Sequence, residues 1–291
     1  MNPAIRRDFF RWRPAACLSV SGEDSRTFLQ GQFTNDLHKA KAGETVYGLW
    51  LNQKGKVLAD SFVRQVADLE FMIVSYFSPA AKILERLEAY VIADDVRIKD
   101  VTSEMAGLTV FAAAVPADWV PAVGWTFPGR RTREPHTEII FPVTTEPEMN
   151  GKLAQAVLLS AGEMEHRRIA AGIPAVPADI GPADLPNEGG LETEAISYTK
   201  GCYLGQEVMA RLKSIGQVRR RLLRVRGEGA APARPAALFQ GARKVGELRS
   251  AAQEGADWIG LALVSLLLIR RESGLALVAD GAPAIRIADA P

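Results

Sequence analysis

Residues 199–222 read "TKGCYLGQEVMARLKSIGQVRRRL", and this segment says more about the chain than any other. It places Cys202, one of 2 cysteines, between a lysine and a Gly-Gln-Glu turn, whereas buried structural cysteines usually have apolar neighbours. The residues after Gly205 have helix-forming composition, so the pattern predicts a helix that begins just beyond Cys202. That helix N-terminus and nearby Lys200 would both favour the thiolate. Two interpretations stay open: a reactive thiol, or a small residue filling a tight corner shaped by Gly201 and Gly205.

Composition excludes several broad classes of protein. The chain of 291 residues is 47% hydrophobic, enough for more than one packed core, and its formal net charge of +1 creates no global field that would hold nucleic acid or an anionic membrane. The longest apolar stretch, 258–269, is interrupted by Gly260 and Ser265 and is shorter than the roughly 20 residues of a membrane helix. Two cysteines far apart in sequence do not form a disulfide framework. We therefore expect a cytoplasmic protein without membrane attachment.

Few motifs support metal or nucleotide chemistry. The 2 cysteines and 3 histidines show no metal-ligand spacing, and the sequence contains neither a G-x-x-x-x-G-K-[ST] loop nor a strand-linked G-x-G-x-x-G motif. A Cys–His nucleophile pair has no local support. A local basic strip could bind tRNA, but basic runs are more often solvated surface, so we expect no direct nucleic-acid binding. The strip consists of Arg211, Lys213, Arg219, Arg220 and Arg221.

The order of predicted elements indicates an α+β fold. Ser78-Pro79 predicts the start of a helix, and a second helix is expected over 153–171. A turn-rich surface loop is expected over 116–135 and a proline-rich loop over 173–190. The last part of the chain contains short β-like runs between glycine turns, a pattern typical of a small β-barrel. The strands of the first half are expected at 15–20, 47–51, 57–66, 69–76, 96–99 and 108–115.

The opening segment resembles the K-G-C-[FY]-x-G-Q-E signature of YgfZ-type proteins, which are folate-binding relatives of the glycine cleavage system T-protein. The matching residues are Lys200, Gly201, Cys202, Tyr203, Gly205, Gln206 and Glu207, and Arg211 belongs to the same matching segment further along the chain. Further segments resemble motifs of that family in the same order: "FLQGQFTNDL" at 28–37, "LNQKGKVLADSFV" at 51–63, "HRRIAAGIP" at 166–174 and "LPNEGGL" at 185–191. The resemblance covers nearly the whole chain and is weakest from about 100 to 160 and after 226.

The resemblance implies a three-domain T-protein-like ring of α/β sandwich domains around a folate site, in which the C-terminal domain is a β-barrel. Residues 1–48 with 145–212 are then expected to form a discontinuous α+β domain that carries the signature. Residues 49–144 would form an inserted α+β domain, and residues 213–291 the barrel.

The same resemblance implies a folate-binding accessory protein that supports the assembly or repair of iron–sulfur clusters, including those of tRNA-modifying enzymes. Tetrahydrofolate or a derivative is the expected cofactor, and iron–sulfur enzymes or cluster-assembly proteins are the expected partners. Independent turnover is not expected. Cys202 and Lys200 are the candidate reactive residues. One thiolate cannot supply the four cysteine ligands of a typical cluster, so any contact with a cluster would be transient or shared with a partner.

The T-protein motifs also indicate candidate folate contacts. Arg168 matches the arginine of L-R-x-E-A-G, although Ala170 replaces the motif's glutamate, and Glu188 matches P-x-E-x-x-L. An arginine suits the glutamate tail of folate and a carboxylate suits pterin N–H donors, but both residues could instead form structural ion pairs. Asp60 aligns with the catalytic G-G-x-x-D-D motif, where one acidic position is lost; this loss argues against the alternative function, aminomethyl transfer in the glycine cleavage system. Tyr203 completes the expected cofactor-binding set.

Overall fold

Five-stranded sheets form the framework of the protein. The computed structural model describes residues 8–41, 43–112, 115, 117–153, 157–270 and 272–288. The helices are α1 (Ser25–Gln32), α2 (Ala80–Glu88), α3 (Glu146–Lys152), α4 (Ala161–Ala170) and α5 (Gln206–Ile215). The strands are β1 (Asp8–Trp12), β2 (Ala16–Ser21), β3 (Thr45–Leu51), β4 (Val57–Ala67), β5 (Glu70–Ser75), β6 (Arg97–Asp100), β7 (Met105–Val110), β8 (Trp125–Pro128), β9 (Thr137–Pro142), β10 (Val157–Leu158), β11 (Arg220–Glu228), β12 (Ala236–Gln240), β13 (Arg243–Glu254), β14 (Asp257–Ser265) and β15 (Ile285–Ile287).

These strands form three sheets, two of which share a core. The first sheet has the order β10-β1-β7-β9-β8, the second β3-β4-β5-β2-β6, and the third β12-β13-β14-β11-β15. Trp12 and Trp125 of the first sheet pack with Phe62 and Val74 of the second, so apolar burial holds these two sheets together. The other face of the second sheet is covered by α1 and α2, and the third sheet curls around its own apolar cluster. The predicted α+β class with a barrel-like C-terminal sheet is confirmed.

The start of α4 differs from the prediction of one helix over 153–171. The helix begins only at Ala161, because Ser160 forms a capping box with Glu163. The Ser160 N–H donates to Glu163 Oε2 at 2.7 Å, and Ser160 Oγ accepts from the Glu163 N–H at 3.2 Å. Upstream, Val157 and Leu158 form a short strand parallel to β1. Residues 154–156 lie outside the described residues.

A strand was missed in the segment 116–135, which the turn residues predicted to be a surface loop. Strand β8 lies within it and pairs with β9, and its alternate residues Trp125 and Phe127 are 8% and 3% exposed. Only four residues alternate here, too few to stand out among prolines and glycines. The strand expected at 108–115 is β7, which ends at Val110; residues 113, 114 and 116 are not among those described.

The division into domains stays a prediction. Strand β3 runs across the boundary expected at 48/49, and the neighbouring strands β1 and β2 enter different sheets. Within the described ranges, no helix is long and apolar enough to cross a membrane.

Candidate functional site

The signature segment docks on the hairpin between β3 and β4. The predicted helix is confirmed: α5 begins at Gln206, directly after Gly205, which has φ +86°, a left-handed conformation that favours glycine. A β-carbon at Gly205 would lie 2.9 Å from the carbonyl oxygen of Asn52. On the hairpin side, a β-carbon at Gly55 would lie 2.9 Å from Cε of Met209. The two glycines therefore let the hairpin and the helix approach at backbone distance, which brings together two motifs identified in the sequence.

Lys200 caps the C-terminal end of α1. The residue is 7% exposed, and its Nζ donates to the carbonyl oxygens of Gln30, Phe33 and Asn35 at 2.6, 2.7 and 3.0 Å. An ammonium group has three donors, so the backbone uses all of them. Burial lowers the pKa of Lys200 to about 8. Through these hydrogen bonds Lys200 stabilises the end of α1. That Lys200 also favours the thiolate form of Cys202 stays a prediction.

The two cysteines lie in opposite environments. Cys202 is exposed, whereas Cys17 is fully buried in β2. Burial, with smaller effects from Asp100 and Glu104, raises the pKa of Cys17 to about 12. In the described part of the chain, no group of three or more His, Cys, Asp and Glu side chains is arranged to hold a metal ion. Because Cys202 is exposed and Cys17 is buried, Cys202 is the thiol that a partner protein can reach.

The remaining signature residues divide between core and surface. Tyr203 is 6% exposed among apolar side chains beneath α5, and burial raises the pKa of its phenol. Glu207 and Arg211 are exposed on α5, while Gln206 is half-buried. At Gly201 there is open space where a β-carbon would stand. The cofactor contact assigned to Tyr203 stays a prediction.

Arg168 lies at the centre of a buried hydrogen-bond network. The residue is 2% exposed, and it joins α4 to the proline-rich loop and to β13 of the third sheet. Its acceptors are Glu165 Oε2 (2.9 Å) and Oε1 (2.6 Å), the Ile173 carbonyl (2.6 Å), Asp179 Oδ2 (2.7 Å) and Ser250 Oγ (2.8 Å). A guanidinium has five donors, so every one has a protein acceptor. A folate carboxylate would have to displace one of them, and the predicted folate contact stays a prediction.

Glu188 is likewise paired inside the protein. Arg220 Nε and Nη2 donate to its two oxygens at 2.8 Å each, a bidentate arrangement, and Nη2 also reaches Asp184 Oδ1 at 3.0 Å. The N–H of Leu185 donates to Glu188 Oε2 at 2.8 Å. Two residues of the basic strip therefore have defined surroundings: Arg220 is held by carboxylates, and Arg221 lines a cavity. The expectation of no direct nucleic-acid binding stays a prediction.

Asp60 is a buried carboxylate of β4. The residue is 5% exposed; its Oδ1 accepts from Ser75 and Ser78 at 3.1 and 2.8 Å, and its Oδ2 accepts from the Tyr47 hydroxyl at 2.9 Å. Burial raises the pKa of Asp60, although the hydroxyl hydrogen bonds and the Arg130 charge act in the opposite direction. Both carboxylate oxygens of Asp60 therefore accept hydrogen bonds from hydroxyl groups of the protein.

A cavity of about 800 Å³ lies where segments of the first and third sheets meet the ends of α4 and the proline-rich loop. The charged residues that line it are Arg130, Arg133, Arg221, Arg224 and Glu194. Apolar residues form the other walls, among them Ile173, Pro174, Leu222, Leu223, Leu261 and Leu266. A cavity with cationic and apolar walls suits an organic anion with a planar or apolar body.

Two arginines of this cavity, Arg133 and Arg221, form no short ion pair among the described residues. Arg130 Nε donates to Glu194 Oε2 at 2.8 Å. Arg133 Nε donates to a backbone carbonyl at 3.0 Å, and Arg221 Nη1 lies 3.9 Å from Glu192 Oε1. Guanidinium groups pair with carboxylates in a bidentate geometry, so anionic groups are the ligands they would hold.

Among the described residues, none of the predicted site residues lines this cavity. Arg168 donates to the carbonyl oxygen of the lining residue Ile173, and Glu188 directly precedes the lining residue Gly189 in the chain. We call residues 129–133 the arginine loop. Sequence reasoning did not identify its arginines as candidate site residues. The available signal was the cluster of basic residues in that loop, inside a segment interpreted as surface.

Comparison with known proteins concerns the fold and the sequence of the chain. The family model described as the GCVT N-terminal domain matches residues 14–113, and the CAF17 C-terminal beta-barrel domain model matches residues 219–287. The solved structure of glycine cleavage system aminomethyltransferase T from Bartonella henselae has a TM-score of 0.81 and 17% identity, over 98% of this chain and 85% of that chain. That likeness concerns the fold.

Several curated proteins are similar in sequence. An iron–sulfur cluster assembly factor IBA57 homolog, mitochondrial, from Pyricularia oryzae is 29% identical over 71% of this chain and 54% of its own length. Mitochondrial IBA57 from Mus musculus is 27% identical over 90% of this chain and 79% of its own length. The tRNA-modifying protein YgfZ from Colwellia psychrerythraea is 26% identical over 70% of this chain and 67% of its own length. The match thus spans about half of the fungal relative.

The fold is that of aminomethyltransferase T, with a C-terminal barrel-like sheet. The chain is a relative of the glycine cleavage T-protein that combines a GCVT N-terminal domain with a CAF17-type C-terminal domain, and its homologues include proteins named IBA57 and YgfZ. The resemblance inferred from the signature segment is confirmed.

Proposed function

We propose that this protein is a folate-binding accessory factor for iron–sulfur cluster assembly or repair, serving iron–sulfur enzymes that include tRNA-modifying ones. The observation that carries the folate part is the arginine-lined cavity within an aminomethyltransferase-T fold. The cluster part is supported by the homologues named as IBA57 and YgfZ.

The donor set of the cavity fits a reduced folate. The glutamate tail of folate carries two carboxylates, for which Arg133 and Arg221 are the best available partners because neither forms a short ion pair. Glu194 supplies a carboxylate that can accept N–H donors of a pterin ring, and the leucines supply an apolar wall. Tetrahydrofolate, when bound, supplies a carrier for one-carbon units.

The iron–sulfur cluster would be a transferred substrate and not a resident cofactor, and Cys202 is the residue that would contact it. The exposed position of Cys202 allows contact with a partner, whereas buried Cys17 has no such access. A single thiolate leaves most ligand positions of a cluster to be filled by another protein. Cluster-assembly proteins and iron–sulfur enzymes are therefore the proposed partners, and the proposed location is the cytoplasm.

The alternative, aminomethyl transfer in the glycine cleavage system, is less well supported by the geometry. A catalytic carboxylate has to reach the reacting nitrogen. Both oxygens of Asp60 accept hydrogen bonds from buried hydroxyl groups, and Asp60 is not among the cavity-lining residues described.

Neutralising a cavity arginine is expected to weaken folate binding. We expect Arg133→Gln and Arg221→Gln each to raise the Kd for 5-formyltetrahydrofolate about tenfold, because a charge-assisted hydrogen bond contributes on the order of 1.5–3 kcal/mol. Isothermal titration calorimetry measures the change. Arg226→Gln is the matched control: it lies on the same strand as Arg221 but is 62% exposed and paired with Glu254. Equal affinities in all three variants would place the folate elsewhere, and no binding by the unmodified protein would reject the folate proposal.

A further inference from the structure

The arginine loop is held from below by buried polar groups. The N–H of Gly129 donates to the His136 carbonyl at 3.0 Å, and the N–H of Arg131 donates to His136 Nε2 at 3.0 Å. Between them, the N–H of Arg130 donates to the Tyr76 hydroxyl at 3.3 Å. Three successive backbone amides of the loop therefore have partners on the side away from the cavity.

Arg131 points in the opposite direction from its neighbours in the loop. It is 6% exposed and does not line the cavity, whereas Arg130 and Arg133 do. Its guanidinium lies 3.8 Å from the ring centroid of Tyr76 and 4.3 Å from that of Trp12. Cation–π contact of this kind is strongest where water is excluded, so Arg131 acts as an anchor in the shared core of the first two sheets.

Glu138 joins these groups. It is fully buried and accepts hydrogen bonds from Arg131 Nε at 3.0 Å and the Tyr76 hydroxyl at 2.9 Å on one oxygen. Its other oxygen accepts from Trp12 Nε1 at 3.0 Å and Thr109 Oγ1 at 2.8 Å. A buried carboxylate with four donors has a fixed position, and two of these donors belong to groups that touch the arginine loop.

We propose that Glu138, Tyr76 and Arg131 are positioning residues that fix the arginine loop and thereby Arg133, the proposed ligand-binding guanidinium that the loop carries. The proposal rests on the folate site proposed above and assigns it a support that no sequence motif marks. Tyr76 is the direct link, since one hydroxyl donates to Glu138 and accepts from the loop. Small displacements of binding groups reduce affinity strongly, so loss of this link should be measurable at the ligand.

Two conservative variants separate positioning from general stability. Tyr76→Phe and Thr109→Val each remove one hydroxyl that donates to Glu138, but only the Tyr76 hydroxyl also contacts the loop. We expect both variants to lower the melting temperature. Tyr76→Phe should also raise the Kd for 5-formyltetrahydrofolate about tenfold, and Thr109→Val should change it less than about twofold. Equal effects of the two variants on Kd would overturn the positioning role.

Amide hydrogen exchange tests the same inference without ligand. Tyr76→Phe should accelerate exchange at Arg130 and Arg131 at least about tenfold relative to Thr109→Val, because the loop loses a buried partner. Unchanged exchange at these amides would overturn the proposal even if folate binds. If the unmodified protein binds no folate, the proposed function fails while the exchange rates still decide the role of Tyr76. Should either variant fold poorly, the same exchange rates are measured on Arg131→Lys, which keeps the positive charge but loses the planar guanidinium that donates to Glu138.

Discussion

Replacing Gly205 by alanine is expected to reduce the free energy of unfolding by about 3 kcal/mol, because a left-handed backbone conformation and a steric overlap would both be forced on the new residue. Gly205 has φ +86°, and its β-carbon would lie 2.9 Å from the Asn52 carbonyl oxygen and 3.3 Å from the Gly55 α-carbon. Both neighbours are backbone atoms of the hairpin, so neither can rotate away. The reduced free energy of unfolding should therefore come from weaker packing of α5 against the hairpin.

Gly201→Ala is the control for this change. Gly201 lies in the same signature, but apart from its two chain neighbours no described heavy atom lies within 4 Å of the place that its β-carbon would take, so we expect a loss below about 0.5 kcal/mol. Urea titration of the two variants gives both values. A similar small loss for Gly205→Ala would show that the signature glycine is not required by the backbone.

Arg168→Met is expected to reduce the free energy of unfolding by about 4 kcal/mol, because removing one partner of a buried ion pair leaves the other charge uncompensated. Asp179 is fully buried and would lose its cation, while retaining hydrogen bonds from the Ala175 N–H at 2.8 Å and Ser250 Oγ at 2.6 Å. Adding Asp179→Asn should recover part of the loss, since the uncompensated charge is then gone.

The neighbouring residue provides the comparison. Arg167 is 28% exposed and pairs with Asp8 at 2.7 Å, so Arg167→Met should cost about 1 kcal/mol or less. Urea titration and folate binding should be measured on both variants. If Arg168→Met weakened folate binding while leaving the protein as stable as Arg167→Met does, the arginine would be a ligand contact and the buried-network interpretation would be wrong.

Local patterns predicted the parts of the fold that depend on local physics. The start of α5 follows from helix-forming residues after Gly205, and the β4–β5 hairpin follows from two strand-like runs, 57–66 and 69–76, separated by a short turn. The four-residue strand β8 was missed because its pairing partner β9 lies beyond a turn-rich segment. Strand pairing over such a distance is decided by tertiary packing, which a single sequence does not display.

The candidate site shows the same division. Neighbours in sequence suggested that Lys200 acts on Cys202, yet the lysine side chain turns inward to the end of α1. The cavity, in contrast, collects residues from the arginine loop, the end of α4 and β11, which are far apart in the chain. No spacing rule links these segments. Family motifs located Arg168 and Glu188 next to the cavity, but their hydrogen-bond partners became visible only in the fold.

Complementation of iron–sulfur-dependent tRNA thiomethylation, in a strain that lacks its own homologue, tests whether Cys202 acts through its thiolate. We expect the unmodified protein and Cys17→Ala to restore thiomethylation, because Cys17 is buried and has a pKa raised to about 12. Cys202→Ser should fold normally, since the residue is exposed. It should restore less than about a tenth of the thiomethylation that the unmodified protein restores, because a hydroxyl does not replace a thiolate at a cluster. Full restoration by Cys202→Ser would reject the thiolate role, and no restoration by the unmodified protein at equal abundance would reject a role in iron–sulfur-dependent thiomethylation.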